Sequence, residues 1–209
     1  ISKERGVICG TFVIGRLLET HYPSCSVEWR VSEGSMVDVG DEVLRIYGDG
    51  VEMLRSERVL LNVLGRLSGI STNSSRWVNE AGSMGVASTR KVDWGLLDKW
   101  AVHVGGGLTH RLSREDALMI KDSEVLSSRV GDETEDEVLA RLVQDIDMDT
   151  NSFFTVIEVR AIEQALTVAG IWKRVQTERE GSERVVILLD NMGPELSSMV
   201  SRRLEEKGL

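Results

Sequence analysis

The fold is decided by a stretch in the last third of the 209-residue chain, FFTVIEVRAIEQALTVA at residues 153–169. Its first seven residues are mostly aromatic and β-branched, which predicts a strand over 153–159. From residue 161 the apolar side chains recur at helical spacing, which predicts a helix over 161–169. A strand that leads directly into a helix is one β-α unit of a parallel sheet.

The same order of strand and helix recurs three more times. The further units are expected at 86–88 with 96–104, at 117–120 with a helix that begins at a capping box opened by Thr134, and at 185–189 with 194–207. Four units in succession predict a parallel sheet or barrel. A complete barrel contains about eight units, so we expect an incomplete one.

The first part of the chain has a different pattern. Residues 26–31 and 41–47 alternate between apolar and polar side chains, which predicts antiparallel strands. Apolar residues at helical spacing between Phe12 and Tyr22 predict a helix that interrupts them, and a long helix is expected from Ser56 to at least Ile70. This region is therefore predicted to be a mixed α/β layer.

Composition excludes several classes of protein. The formal net charge is -9, which makes general binding to nucleic acid or to an anionic membrane unfavourable. No apolar run approaches the ~18 residues of a membrane-spanning helix, so the cytoplasm is the expected compartment. Cys9 and Cys25 are too few for a disulfide framework or a zinc site, and we interpret both as structural thiols.

Cationic residues are concentrated in one part of this acidic chain. Five of them lie close in sequence to a glycine triplet at 105–107: Arg90, Lys91, His110, Arg111 and Lys121. A local cationic cluster in an acidic protein indicates a small, multiply charged anion as ligand. Taken singly, Arg90, Lys91 and Lys121 are also explained as solvated surface residues and His110 as a structural histidine. The triplet is also explained as a helix C-cap followed by a loop.

Charged residues also follow the predicted strands. Arg90 and Lys91 follow the first strand, Lys121 the second, and Glu158 and Asp190 lie at the ends of the third and fourth. The C-terminal ends of parallel strands are where β/α proteins place their functional groups. Because an unpaired carboxylate within an apolar run is costly, Glu158 and Asp190 are expected to have cations or a metal beside them.

Several motifs in register resemble one family, the quinolinate phosphoribosyltransferases, also called carboxylating nicotinate-nucleotide pyrophosphorylases. The resemblance extends through nearly the whole chain, and its motifs are RGVICG at 5–10, SERVLLN at 56–62, RLSGI at 66–70 and LLDNM at 188–192. It implies an α/β fold in which a partial N-terminal α/β sandwich domain with a linking helix, residues 1–82, precedes an incomplete parallel β/α barrel, residues 83–209. It also implies a homodimer with shared active sites.

The resemblance implies a reaction as well: quinolinate and phosphoribosyl pyrophosphate give nicotinate mononucleotide, pyrophosphate and CO2 with Mg2+, in NAD biosynthesis. Carried over by motif, Arg58 would reach the neighbouring subunit's site. The quinolinate carboxylates would be held by Arg90, His110, Arg111 and Lys121. The donor and its metal would face Lys91, Glu158 and Asp190, with Glu158 and Asp190 as metal ligands and all three as catalytic residues.

The chain also departs from the family pattern. Ser88 stands where an Asp often precedes Thr-Arg-Lys, residues 92–94 are Val-Asp-Trp, and residues 122–124 are Asp-Ser-Glu. Further strands with glycine-containing loops are absent after Leu209, so we expect a partial sequence. The alternatives are a related phosphoribosyltransferase acting on nicotinate, the paralogue associated with molybdenum transport, and a truncated, non-catalytic subunit.

Overall fold

The computed structural model describes residues 1–113, 116–147 and 154–209. Within them the chain packs as two compact units, Ile1–Leu112 and Ser113–Leu209. The domain boundary predicted after residue 82 is a different division of the chain from these packing units, and it stays a prediction.

Unit 1 is a mixed α/β layer, as its alternating pattern predicts. Its elements are β1 (Gly6–Val7), α1 (Thr11–His21), β2 (Cys25–Trp29), β3 (Met36–Val37), β4 (Leu44–Gly48), α2 (Gly50–Ala81) and α3 (Leu96–Val104). β1 pairs with β3 and β2 with β4, both antiparallel. The helix predicted between the strands is α1.

The long helix α2 begins earlier than its apolar stripe suggested. The Asp49 carboxylate accepts hydrogen bonds from the backbone N–H groups of Val51 and Glu52, so the helix starts at Gly50 rather than near residue 56. Its inner face buries Leu60, Val63 and Leu67 against the side chains that form the rest of this core: Cys9, Ile14, Leu18, Cys25 and Ala101. Both cysteines are therefore buried free thiols.

The strand predicted over 86–88 is reduced to a single bridge. Ala87 pairs in parallel with Leu108, the Leu108 N–H donates to the Val86 carbonyl (2.8 Å), and the Ser88 N–H donates to the Leu108 carbonyl (2.9 Å). Ala87 and Ser88 offer little side chain to bury, so this short segment does not sustain a longer ladder. The prediction of a full strand here is wrong, although the direction of pairing is that of a parallel sheet.

Unit 2 contains a parallel sheet with helices. Its elements are β5 (Ala117–Ile120), α4 (Asp122–Ser127), α5 (Glu135–Gln144), β6 (Phe154–Val159), α6 (Ile162–Glu178), β7 (Val185–Leu189) and α7 (Pro194–Glu206). The sheet order is β5-β6-β7, with Ile120 opposite Ile157 and Val159 opposite Leu189. The predicted strands and their parallel order are confirmed, except that Phe153 lies outside the described residues.

The helices of unit 2 follow from local signals. Thr134 and Glu137 form the predicted capping box at the start of α5, and Pro194 occupies the first turn of α7. Val138, Val143 and Val168 are fully buried against the sheet core. The short helix α4 had no apolar stripe and was not predicted. Together the two units confirm the α/β fold class, and no helix among the described residues is long and apolar enough to cross a membrane.

Candidate functional site

In unit 1 the parallel bridge brings four of the predicted cations to one edge. Because the segments that contain Ala87 and Leu108 run in the same direction, the residues that follow them leave on the same side. Arg90 and Lys91 follow one segment, and His110 and Arg111 follow the other. We call these four residues the cationic edge. Arg90 and Lys91 are exposed, whereas His110 and Arg111 are half-buried.

A buried lysine ties the two segments of the cationic edge together. Lys99, on α3, is only 2% exposed, and its Nζ donates to Ser88 Oγ (3.2 Å) and to the Thr109 carbonyl (2.5 Å). Ser88 Oγ in turn donates to the same Thr109 carbonyl (3.1 Å). The serine that departs from the family pattern thus joins the hydrogen bonds that fix where the two segments end.

His110 lies in an unusual backbone conformation beside other cations. Its φ is 53°, in the left-handed region that non-glycine residues seldom occupy, and such strain is often found at binding sites. Burial lowers the pKa of the His110 imidazole, and the positive charges of Lys99 and Arg111 lower it further. In the free chain these surroundings favour the neutral form of the His110 imidazole.

The glycine triplet serves packing within unit 1. Gly105 caps α3, and a Cβ added there would lie 2.3 Å from the carbonyl oxygen of Ser71 on α2. A Cβ at Gly107 would lie 2.7 Å from the Val102 side chain, and Gly106 has a φ of 90°. Of the two interpretations of the triplet, the helix cap is the one that these contacts support.

The loop that contains Arg90 and Lys91 is held by a buried ion pair between Asp98 and Arg66. Asp98 is 4% exposed and receives two hydrogen bonds from Arg66, Nε to Oδ1 (3.0 Å) and a terminal nitrogen to Oδ2 (2.8 Å). Asp98 Oδ2 also accepts from the backbone N–H groups of Asp93 and Trp94, each at 3.0 Å. The Arg66 guanidinium lies 4.8 Å from the Trp94 ring centroid. Hydrogen bonds from Arg66, and then from the backbone, hold the pKa of Asp98 below its usual range.

Arg58, predicted to serve a neighbouring subunit, lies away from these contacts on α2. It is exposed, and it shares a helix face with the exposed Leu54 and Leu61, which are 74% and 51% accessible. Its role stays a prediction.

Unit 2 brings together its own three predicted residues, Lys121, Glu158 and Asp190. Lys121 directly follows β5, Glu158 is the fifth residue of β6, and Asp190 directly follows β7. The Asp190 N–H donates to the Val159 carbonyl (2.9 Å), which extends the register by one residue. These positions at the C-terminal ends of three neighbouring strands form what we call the strand-end rim.

The rim contains a second cation, which the sequence reasoning missed. A terminal nitrogen of Arg160 lies 2.9 Å from Asp122 Oδ2 and 3.9 Å from Glu158 Oε1, and its Nε lies 3.4 Å from Asp190 Oδ2. The expectation that Glu158 and Asp190 have cations beside them is met by this arginine. Its signal in the sequence was a charged residue directly after an apolar strand, with an acidic residue within two positions of the end of each neighbouring strand.

Glu158 is a carboxyl of the rim whose pKa is raised. Its side chain is 14% exposed. Burial raises its pKa, and the negative charges of Asp190 and Asp122 raise it further. Throughout the described ranges, no three Asp, Glu, His or Cys side chains are grouped as metal ligands. A Mg2+ ion usually takes only one or two protein carboxylates beside water and substrate phosphates, so Glu158 and Asp190 fit that limited role.

Lys99, Arg66 and Asp98 were also missed as contributors to the site in unit 1. All three lie on amphipathic helices, where a charged residue normally indicates a solvated face. Only their tertiary contacts show that Lys99 and Asp98 are buried.

Comparison with known proteins identifies the family. Two family models match, the N-terminal domain of quinolinate phosphoribosyl transferase over residues 1–68 and its C-terminal domain over residues 70–208. A Nicotiana tabacum protein named quinolinate phosphoribosyltransferase (decarboxylating) 2b, mitochondrial, is 31% identical over 201 residues, which cover 95% of this chain and 54% of that protein. The chain thus spans about half the length of this curated relative.

Two further relatives agree. A probable nicotinate-nucleotide pyrophosphorylase (carboxylating) of Methanothermobacter thermautotrophicus is 33% identical over 217 residues, with 100% of this chain and 70% of that protein covered. The crystal structure of NadC from Streptococcus pyogenes superposes with a TM-score of 0.76 at 28% identity, covering 98% of this chain and 68% of that one. Since the two family models match in order along almost its whole length, the chain belongs to the quinolinate phosphoribosyltransferase family.

Proposed function

We propose that the protein transfers the phosphoribosyl group of phosphoribosyl pyrophosphate to quinolinate with loss of CO2, giving nicotinate mononucleotide and pyrophosphate. The observation that carries the proposal is the cationic edge, where Arg90, Lys91, His110 and Arg111 follow the two segments that pair in parallel at Ala87 and Leu108. Quinolinate has two adjacent carboxylates, and a paired arrangement of guanidinium and imidazole groups matches them.

The proposed roles of these residues follow from their chemistry. Arg90 and Arg111 offer planar forks for a carboxylate each, and His110 contributes a donor that gains charge as the dianion binds. Holding the ring in this way turns its nitrogen toward the anomeric carbon and replaces a random encounter by a positioned attack. By family resemblance, Lys121 is assigned to the same carboxylates and Lys91 to the donor.

The bond changes balance within the two substrates. The ring nitrogen forms a bond to the anomeric carbon as the bond from that carbon to pyrophosphate breaks, and the positive charge that develops on the ribose is stabilised by nearby carboxylates. The positively charged ring then accepts the electron pair released when its 2-carboxylate leaves as CO2, and a proton takes the vacated position. The residues assigned to the ribose and donor side are Glu158 and Asp190.

Mg2+ is the cofactor that we propose for this reaction. Glu158 and Asp190 would hold it together with oxygens of the donor, and the ion would neutralise the departing pyrophosphate. Two features support this proposal: both carboxylates lie at the strand ends, and the positively charged Arg160 guanidinium lies beside them.

We further propose that two copies of the chain associate through α2. A helix face that exposes Leu54 and Leu61 beside Arg58 is costly in water, and a second copy would cover the leucines while taking up the guanidinium. Sedimentation should show a dimer that Leu61→Glu dissociates, and a monomeric wild type at micromolar concentration would contradict this. The cytoplasmic location stays a prediction.

Calorimetric titration with quinolinate tests the substrate directly. Wild-type protein should bind quinolinate more tightly than nicotinate, because the second carboxylate adds charge-assisted hydrogen bonds. Arg111→Gln should weaken quinolinate binding at least about tenfold, since such a bond contributes roughly 1.5–3 kcal/mol. Arg16→Gln, on an exposed pair in the same unit, is the matched control and should leave binding unchanged.

The same titration separates the alternative substrate. If nicotinate binds as tightly as quinolinate, and Arg111→Gln weakens both equally, the protein is better described as a phosphoribosyltransferase acting on a monocarboxylate. If neither compound binds, the proposal that the cationic edge binds quinolinate is refuted.

A further inference from the structure

The strand-end rim of unit 2 contains a cation at the point where its carboxylates meet. The Arg160 guanidinium contacts Asp122, Glu158 and Asp190 at 2.9, 3.9 and 3.4 Å, and these three residues lie at the ends of β5, β6 and β7. Gln164 accepts a hydrogen bond from the Arg160 backbone N–H (2.9 Å), which fixes the residue at the start of α6. One side chain therefore links three successive strand ends.

The carboxylates of the rim depend on this arginine for charge balance. Glu158 and Asp190 have side-chain exposures of only 14% and 31%, so water screens them incompletely. Lys121 is the second cation whose charge acts on Glu158. Three carboxylates and two cations leave a net charge of about -1, by the formal charges of these five groups.

A guanidinium and a metal ion compete for these carboxylates. Arginine has only donors and cannot ligate a metal, and Arg160 already engages one oxygen of each carboxylate of the rim. The two positive charges would also repel each other at about 4–5 Å, with an energy that remains substantial near a protein surface.

We infer that Arg160 is a resident, displaceable counter-ion, which competes with a divalent cation for the carboxylates of Glu158 and Asp190. A metal ion enters the rim only as the guanidinium leaves it. The affinity of the free protein for a divalent cation is accordingly low, and Arg160 sets it. This inference rests on the proposed function only for the choice of a Mg2+-like ion, since the competition itself needs neither substrate nor turnover.

Manganese binding to the substrate-free protein tests the inference. Electron paramagnetic resonance of free Mn2+ should show that Arg160→Gln tightens binding roughly 10- to 100-fold, because a repelling positive charge is removed. Arg160→Lys, which keeps that charge, should stay within about threefold of wild type. Arg203→Gln, which removes an arginine paired with Glu163 elsewhere in unit 2, is the matched control and should change nothing.

A double variant locates the tightened site. Asp190→Asn in the Arg160→Gln background should return Mn2+ affinity to near the wild-type value. If Arg160→Gln binds Mn2+ no more tightly than wild type, or if the gain survives Asp190→Asn, the inference is overturned.

A measurement on the unsubstituted protein covers the case in which Arg160→Gln fails to fold. The Arg160 Nε–H signal in nitrogen-15 spectra should shift as Mg2+ is added, because the guanidinium loses its contacts with Asp190 and Asp122. A signal that is unmoved at saturating Mg2+ overturns the inference. Neither measurement uses quinolinate or the phosphoribosyl donor, so a failed transfer reaction would leave this result intact.

Discussion

Replacement of Asp98 is expected to destabilise unit 1 more than its position on an amphipathic helix suggests. The carboxylate is 4% exposed and accepts four hydrogen bonds, two from Arg66 and two from the backbone of Asp93 and Trp94. Breaking a buried ion pair by removing one partner costs about 3–5 kcal/mol. Because the Arg66 side chain is 31% exposed and water can solvate it, we expect the lower end, about 3 kcal/mol, for Asp98→Ala.

Urea unfolding followed by tryptophan fluorescence measures this loss. Unit 1 holds four of the five tryptophans, at positions 29, 77, 94 and 100, so the signal reports mainly on that unit. With a urea dependence of about 1.5 kcal/mol per M, a loss of about 3 kcal/mol moves the midpoint down by about 2 M. Asp98→Asn keeps an acceptor for the backbone N–H groups and should lose less, about 2 kcal/mol.

The effect should depend on pH with a defined sign. The folded pKa of Asp98 is lowered, so its contribution is fully present above the unfolded pKa of about 3.9 and is lost as the pH falls through the folded value. The difference between wild type and Asp98→Asn should therefore shrink in acid. Glu19→Gln, in the exposed pair with Arg16, should cost less than about 0.5 kcal/mol. If Asp98→Ala costs no more than this control, the reasoning is refuted.

Three further predictions concern other parts of the protein. Quinolinate binding at pH 7.5 should take up protons, because the lowered pKa of His110 rises when a dianion binds. The uptake is measured as a binding enthalpy that depends on the buffer, and His110→Gln should remove it. Gly105→Ala should lower the free energy of unfolding, measured in urea, by at least about 2 kcal/mol, because the added Cβ would lie 2.3 Å from the Ser71 carbonyl oxygen. Gly15→Ala, in open space on α1, is the control and should raise it by about 0.5–1 kcal/mol. Glu158→Gln should stabilise unit 2 at pH 7 and lose that advantage in acid, because a carboxyl whose folded pKa is raised destabilises the fold when it is ionised. A variant that is less stable than wild type at pH 7 would contradict the argument that burial disfavours the ionised Glu158.

Much of the fold follows from local sequence signals. The parallel strands at 117–120 and 185–189 are continuous apolar runs, and the capping box at Thr134 needs only residues three apart. A strand was predicted over residues 86–88, but only Ala87 forms a bridge, because the sequence does not show how many backbone hydrogen-bond partners a short segment will have.

The residues of the candidate site were also predictable from the sequence only in part. The cations of the edge could be named from the sequence, since their charge stands out in an acidic chain with a glycine triplet. Lys99 and Asp98 could not, because their burial results from packing between α2, α3 and the segment after Ala87. Arg160 was overlooked for a related reason: the order of strands in the sheet decides which charges meet, and its partners Asp122 and Asp190 lie 38 and 30 residues away in sequence.

The most direct test of the account is the reaction itself. Release of CO2 from carboxyl-labelled quinolinate, with formation of nicotinate mononucleotide, would be measured with phosphoribosyl pyrophosphate and Mg2+, using the chain and a version that includes any flanking residues of its gene. Activity in either form, abolished by Arg111→Gln and retained by Arg16→Gln, is the result that the account predicts. No CO2 release from either form, with both folded and supplied with both substrates, would contradict it.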